Sequence, residues 1–496
     1  MITGLLILFI IVWLPLLLYQ MTNRGFVVLL VWLFIAPVAS NIINLPSRNP
    51  FFQSPDEYRS RYVDKVTKDF YFTEESKIEL RRWFEPTRLL FISFIIVFIL
   101  KGLLRQQRLG PFDSVEIWMF LLTLILLLST FLKSINRIYS LRVVLDGFMV
   151  PFLAYFISRR FVTTERRLIQ LNQVFIYMAT YLIILGLIER MVHYDVLTYR
   201  LEGPFRNKHA ISIATILPFF VVLADTLYAG SVRAGKVIVA RSVRWFVLIL
   251  APVIVGISMT RGVWVGFLLG LWGFVAMGGR MIGISRKMIT WGLFLLLLPM
   301  ATALILALTP SEIIEGRVVG ESTVYGRIAT WTALLQAGAK SPLFGIGLNN
   351  SRNVLYDTKL QFHGLNRYKS VHNSYLALFV EQGIIGLFAY LAIVTCIMRM
   401  GMSLYRKGSQ PRERWWGVIV VAVMIAYLVP ALFESKLHTP NAMLSVYVYA
   451  LVGGVAGLYG RHRVGTPVYR IYGGGSRGEA RQDRGGIVTS GRNLRM

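Results

Sequence analysis

Four residues of this chain carry reactive or phosphate-binding side chains in apolar surroundings that such groups do not enter without a reason: Arg261, Arg327, His372 and Glu381. Arg261 lies in Met259-Thr260-Arg261-Gly262, a tight turn between two apolar runs. Arginine at membrane depth costs about 2.5–3.5 kcal/mol on insertion scales, so one in so short a turn lies near the interface and faces protein rather than lipid. By itself it fits a helix-terminus contact as well as a functional role. Arg327 follows Tyr325-Gly326 and stands one turn before Trp331. Ile328, Trp331, Leu334, Leu335 and Gly338 recur at helical spacing, which predicts an amphipathic helix over Ser322 to Lys340 with Arg327 at the edge of its apolar stripe. The plain alternative is an arginine stacked on a tryptophan.

His372 precedes Asn373, a good N-cap at the head of the apolar run 374–398. A lone histidine at a helix start is more often structural than catalytic. Glu381 lies about two turns inside that run and needs a partner there, which Arg261 or Arg327 could supply. Gly383 and Gly386 beyond it predict a kink or close packing. Between these groups, Pro342, Gly345 and Gly347 end the amphipathic helix and allow close backbone approach. Residues 309–372 hold seven Lys or Arg against four Asp or Glu, a balance that favours a negative ligand.

Two further stretches carry candidates. Gly203-Pro204-Phe205-Arg206-Asn207-Lys208-His209 puts Arg206 and Lys208 at a helix N-terminus, where an anion contact and ordinary snorkelling are both reasonable readings. Asp56-Glu57 sits in an early acidic and basic segment, read as a solvated cap or interfacial helix, with a catalytic carboxylate as the sharper alternative.

The elements that must position these groups are membrane helices. Hydrophobic residues make up 55% of the 496, and mean hydropathy is +0.58. Apolar runs of about 17–25 residues, long enough to cross a bilayer, recur throughout. They predict an all-α polytopic membrane protein with 12–13 transmembrane helices, near residues 3–21, 25–44, 88–104, 115–132, 142–158, 168–188, 209–228, 243–259, 262–279, 288–308, 374–398, 415–433 and 441–459. The first run lacks a preceding basic residue and a small-residue cleavage site, so it reads as a retained helix. Basic residues mark alternate loops: Lys101, Arg105 and Arg108; Arg159, Arg160, Arg166 and Arg167; Arg233 to Arg244; Arg280 to Lys287; and Arg406 to Arg414. The positive-inside rule puts these in the cytoplasm and leaves a large periplasmic loop before the third-from-last helix. The chain divides into an N-terminal helix pair (1–44), a first external loop (45–87), a helix bundle (88–308), the large loop (309–373), C-terminal helices (374–460) and a disordered basic tail (461–496).

A formal charge of +28 suits cytoplasmic loops, anionic membrane lipids or a phosphorylated substrate, and nucleic acid is a poor match for so hydrophobic a chain. One cysteine, Cys396, excludes an internal disulfide and a cysteine-based metal site. No Walker loop, HExxH, CxxC or Rossmann glycine pattern occurs, and the six histidines lack metal-ligand spacing.

Tyr325-Gly326-Arg327 with Trp331, the Pro342…Gly345-Ile346-Gly347 turn, and His372-Asn373-Ser374-Tyr375-Leu376 with Glu381-Gln382-Gly383-Ile384-Ile385-Gly386 resemble the O-antigen ligase/polymerase superfamily over roughly residues 245–400. Gly203 to Asn207 is similar too, although the family often continues with Pro-Asn where this chain has Lys208-His209. The resemblance implies transfer of a glycan from an undecaprenyl-pyrophosphate donor to an acceptor hydroxyl outside the bacterial inner membrane, with inversion and without metal or cofactor. The acceptor is a glycan, lipid A core or a protein hydroxyl. By motif position, Arg261 and Arg327 correspond to the family's functional arginines and His372 to its histidine. Arg206, Trp331, Gly345, Gly347, Asn373 and Glu381 are then the expected substrate-binding positions. Guanidinium groups bind phosphate in a bidentate fork, and a neutral imidazole accepts a hydroxyl proton, so the residue types suit this chemistry. The competing readings are a transporter or flippase for an anionic lipid, and a polyprenyl-phosphate-sugar glycosyltransferase using Asp56 or Glu57.

Overall fold

The helices follow from apolar length and from capping residues at their ends. In a computed structural model of the chain, the described residues are 27, 30, 111–192, 208–231, 239–258, 260–285, 287, 324–351, 353–354, 371–434 and 443–459. They contain helices and no strand: α1 (Ser114–Lys133), α2 (Arg137–Val144), a π turn (Leu145–Met149), α3 (Val150–Phe161), α4 (Glu165–Val192), α5 (Lys208–Ser231), α6 (Arg241–Ile257), α7 (Arg261–Met281), α8 (Val324–Ala339), α9 (Ser374–Lys407), α10 (Pro411–Leu428), a 3-10 turn (Val429–Leu432) and α11 (Met443–Tyr459). Six helical stretches among the described residues are long and apolar enough to span a bilayer, and two shorter ones, Ile211–Leu227 and Ser445–Tyr459, are apolar throughout. The expected spans near 3–21, 88–104 and 288–308, and all of 25–44 but Val27 and Leu30, lie outside the described residues, as do the 45–87 loop with Asp56 and Glu57, Arg206, and the tail.

Burial separates central from peripheral helices. Nearly every residue of α10 from Trp415 to Tyr427 is buried, as a helix apolar on all sides should be when other helices surround it. By contrast, α1 exposes Ile117, Phe120, Leu124, Leu128 and Phe131, a face suited to lipid. Lipid gives helices no hydrophobic reason to associate, so close van der Waals contact must hold them together. Gly262, Gly266 and Gly270 supply it along one stripe of α7. A Cβ at Gly266 would stand 2.5 Å from the Pro430 ring, and one at Gly270 would stand 2.9 Å from the Ala422 carbonyl oxygen of α10.

Charged groups gather at one end of this bundle. Asp113 and Glu116 form a capping box at the start of α1, and the same acids hold Arg159 and Arg160 from the end of α3. Arg412 at the start of α10 meets Glu165 at the start of α4 at 2.6 Å. Arg244 of α6 lies 3.6 Å from Asp225 of α5. A cavity of about 440 Å³ at this end is lined by Glu165, Lys407, Gln410 and Glu413 among others. The ends of α1, α6 and α10 and the starts of α7 and α9 form the opposite end, where the large loop packs.

Candidate functional site

The large loop is anchored before it can present anything. Helix α8 packs on α9, with Leu334 buried beside Val371, Ala377 and Val380, and Gly338 against Val380. Leu335 departs from the expected apolar stripe: it is 49% exposed, because a step of one residue turns it about 100° away from Leu334.

Beyond α8, residues 341–351 interlock with a break in α9. Gly383 has φ 68°, ψ −169°, a conformation that ends one helix and starts another. The break frees backbone groups that apolar surroundings cannot satisfy. The loop satisfies them: Ile346 N and Gly347 N donate to the carbonyls of Val380 and Glu381, and Ile384 N donates to the Pro342 carbonyl at 2.8 Å. Gly345 and Gly347 also have positive φ. A Cβ at Gly345 would fall 2.3 Å from the Glu381 carbonyl, and one at Gly383 would fall 2.2 Å from the Leu343 oxygen. Lys133 ties α1 to the same turn through the Gly345 carbonyl (2.9 Å) and Ser341 Oγ (3.2 Å). Glu381 is buried and accepts from Ser351 Oγ at 2.5 Å. Ser351 of the loop is one partner of Glu381. Gly345, Gly347 and Glu381 thus meet within this interlock.

Arg327, Trp331, His372 and Asn373 gather around a second point, the corner after α10. Trp331 Nε1 donates to the Val371 carbonyl at 2.9 Å, so the indole fixes the backbone just before His372. Asn373 fixes the backbone just after it, its side chain accepting from Tyr375 N and Leu376 N. His372, held between them, has φ 48°, a left-handed conformation that costs a non-glycine residue on the order of 1–3 kcal/mol and clusters at functional sites. Its Nδ1 lies 3.3 Å from Glu434 Oε2. Ser374 Oγ donates to the Glu434 carbonyl at 2.8 Å and holds that residue in place.

Arg327 reaches the same corner. Nη1 donates to the Phe433 carbonyl at 3.1 Å, and Nη2 stands 4.0 Å from Glu434 Oε1. Its Nε is buried and has no acceptor among the described residues. The backbone of Arg261 opens α7 beside this corner, because its neighbour Gly262 packs on Phe433, where a Cβ would meet Phe433 Cβ at 3.1 Å. Helices α7 and α9 therefore both begin here, and their N-termini carry partial positive charge.

Glu434 is the group that sequence reasoning passed over. It reads there as an acid in the last external turn, beside His438. The signal that could have raised it is its type: a carboxylate between two apolar helices, at the end of the bundle away from the basic loops. Among the described residues no three His, Cys, Asp or Glu side chains come together as metal ligands.

Residues 246–391 match the model of the O-antigen ligase family. No curated protein matches the chain. The matched span begins inside α6 and ends inside α9, so it contains Arg261, Arg327, His372 and the whole interlock, while Glu434 and Arg206 lie outside it. Within an all-α multi-pass membrane protein, residues 246–391 are therefore similar to the O-antigen ligase family.

Proposed function

We propose that this chain is a membrane glycosyltransferase that moves a glycan from undecaprenyl pyrophosphate to an acceptor hydroxyl on the periplasmic side of the bacterial inner membrane. The observation that carries this reading is the convergence of Arg327, His372 and Glu434 on one polar corner at the starts of α7 and α9. A corner with cationic groups, helix N-termini and one imidazole suits an anionic leaving group and a hydroxyl nucleophile.

In this reading Arg261 and Arg327 hold the donor's pyrophosphate. The acceptor oxygen attacks the anomeric carbon in line and passes its proton to neutral His372. The bond from that carbon to the phosphate oxygen breaks, and its electron pair leaves with undecaprenyl pyrophosphate. One displacement inverts the anomeric centre. The guanidinium groups balance charge that grows on the leaving group, a task Mg²⁺ performs in many phosphoryl-transfer enzymes, and the imidazolium returns its proton to water or to the departing phosphate. Trp331 and Asn373 support the reading by setting the backbone on either side of His372, and Gly345, Gly347 and Glu381 by forming the interlock that braces α9.

Charge supports the periplasmic side. Basic residues crowd the bundle end opposite this corner, and the positive-inside rule assigns such an end to the cytoplasm. A cysteine at Lys340 in a Cys396→Ser background is then expected to react with an impermeant thiol reagent from the periplasmic side. Labelling only from the cytoplasmic side inverts the assignment. The activity itself is tested by product analysis with a defined undecaprenyl-pyrophosphate oligosaccharide, with and without lipid A core, in the presence of EDTA. Glycan transfer that survives chelation supports the proposal. No transfer to lipid A core, to a second repeat or to protein, or transfer that requires added Mg²⁺ or Mn²⁺, contradicts it.

A further inference from the structure

Glu434 faces two groups at once. One carboxylate oxygen stands 3.3 Å from His372 Nδ1, and the other stands 4.0 Å from Arg327 Nη2. Its backbone is held separately, through Ser374 Oγ on the carbonyl. An ionised carboxylate only accepts hydrogen bonds. The imidazole nitrogen beside it must therefore carry the proton, which leaves the lone pair on Nε2. The Arg327 contact, at the limit of an ion pair, leaves room for a stronger anion to take the guanidinium.

We propose that Glu434 is a positioning residue for transfer: it holds the His372 Nδ1 proton so that Nε2 faces the acceptor as base, and it shares Arg327 only until the donor's pyrophosphate claims that guanidinium. The inference rests on the glycosyltransferase reading above for its second half. Its first half, the charge coupling of Glu434 and His372, stands without any substrate. Among the described residues the charged group against His372 is Glu434 from the corner after α10, and Arg327 from α8 reaches the other oxygen of that carboxylate. The backbone of Arg261 starts α7 at the same corner.

The base must be neutral to take a proton, and a carboxylate against an imidazole ring stabilises the protonated form, so loss of that carboxylate is expected to move the rising limb of the transfer rate to lower pH. The experiment compares wild type with Glu434→Gln, which keeps shape and an acceptor oxygen, and Glu434→Ala, which keeps neither. Histidine-labelled protein in detergent, with His372→Ala identifying the signal, gives the His372 titration by NMR, with and without inorganic pyrophosphate. Transfer from the lipid-linked oligosaccharide is followed across pH 5–9.

In Glu434→Gln the His372 titration and the rate limb are expected to move together to lower pH. The donor concentration for half-saturation is expected to stay equal or fall, because a competitor for Arg327 is gone, while the maximal rate falls by roughly tenfold. Glu434→Ala is expected to lose about another tenfold in maximal rate. In wild type, pyrophosphate is expected to shift the His372 titration. An unchanged His372 titration in Glu434→Gln overturns the proposal, whatever the activity. So does a loss of donor affinity that parallels the loss of rate. If the titration shifts as expected but wild type transfers no glycan, the glycosyltransferase reading fails and the coupling remains.

Discussion

The same end of the bundle holds two polar regions built in opposite ways. In the interlock of residues 341–351 with the break at Gly383, the freed backbone groups are met by the loop and Glu381 has Ser351 against it, while the side-chain amide of Gln382, sealed from solvent, has no partner among the described residues. At the corner of Arg327, His372 and Glu434, a buried guanidinium nitrogen has no acceptor among the described residues, a histidine is held in a left-handed conformation, and its side chain is about a third exposed. Backbone groups paired in an apolar medium hold the interlock rigid, and the Gln382 amide there is out of reach of solvent. The corner is open to solvent at Arg327 and His372, so its spare donor can meet a ligand. The difference separates Gly345, Gly347 and Gly383, which make the scaffold, from the corner, to which the proposed reading gives the chemistry.

That contrast makes opposite demands on variants, and the largest effect is expected at His372. His372→Ala is expected to lower the transfer rate by roughly 10²–10⁴, the usual worth of a general base, while carrier binding and thermal stability stay near wild type. Carrier binding lost with the chemical rate retained at saturation would make His372 a phosphate ligand. Next comes Arg327→Lys. An ammonium keeps the charge but loses the planar fork, so a loss of about a hundredfold, or roughly 3 kcal/mol in the barrier, is expected from single-turnover kinetics. Full activity in that variant would mean the guanidinium holds only the Phe433 carbonyl.

Variants of the interlock are expected to act on stability instead. Gly383→Ala forces a side chain into the Leu343 carbonyl at φ 68°, and the left-handed strain alone costs on the order of 1–3 kcal/mol. The expected readout is a lower Tm in detergent and less folded protein, with the surviving molecules turning over normally. The smallest effect is Lys133→Met, which keeps the apolar stem and removes the bonds to Gly345 and Ser341, worth about 0.5–1.5 kcal/mol. If either variant slows single-turnover transfer a hundredfold at unchanged stability, the two regions are not separate in function.

The membrane helices were legible in the sequence because apolar length and caps are local signals. Asp113 with Glu116 starts α1, Asn373 starts α9, and Pro411 opens α10, each visible within a few residues. The glycines after Glu381 also announced a break. What closes that break was not legible, because backbone hydrogen bonds from 342–347 to 380–384 leave no side-chain pattern. Glu434 escaped for a related reason. It stands 62 residues from His372, and no periodicity links a turn after one helix to the start of another. Leu335 shows the limit of stripe reading: helical spacing names a face about 100° wide, and only the packing partner says where it ends.

The central claim is that the lipid pyrophosphate reacts at the corner beside Glu434. A photoreactive undecaprenyl-pyrophosphate analogue, cross-linked to the protein in proteoliposomes and mapped by mass spectrometry, tests it without relying on any variant. The account predicts adducts on peptides that contain Arg261, Arg327, His372 or Phe433-Glu434, competed by excess unlabelled carrier. Competed adducts confined to the basic end, around Glu165, Lys407 and Glu413 beside the cavity there, would contradict it.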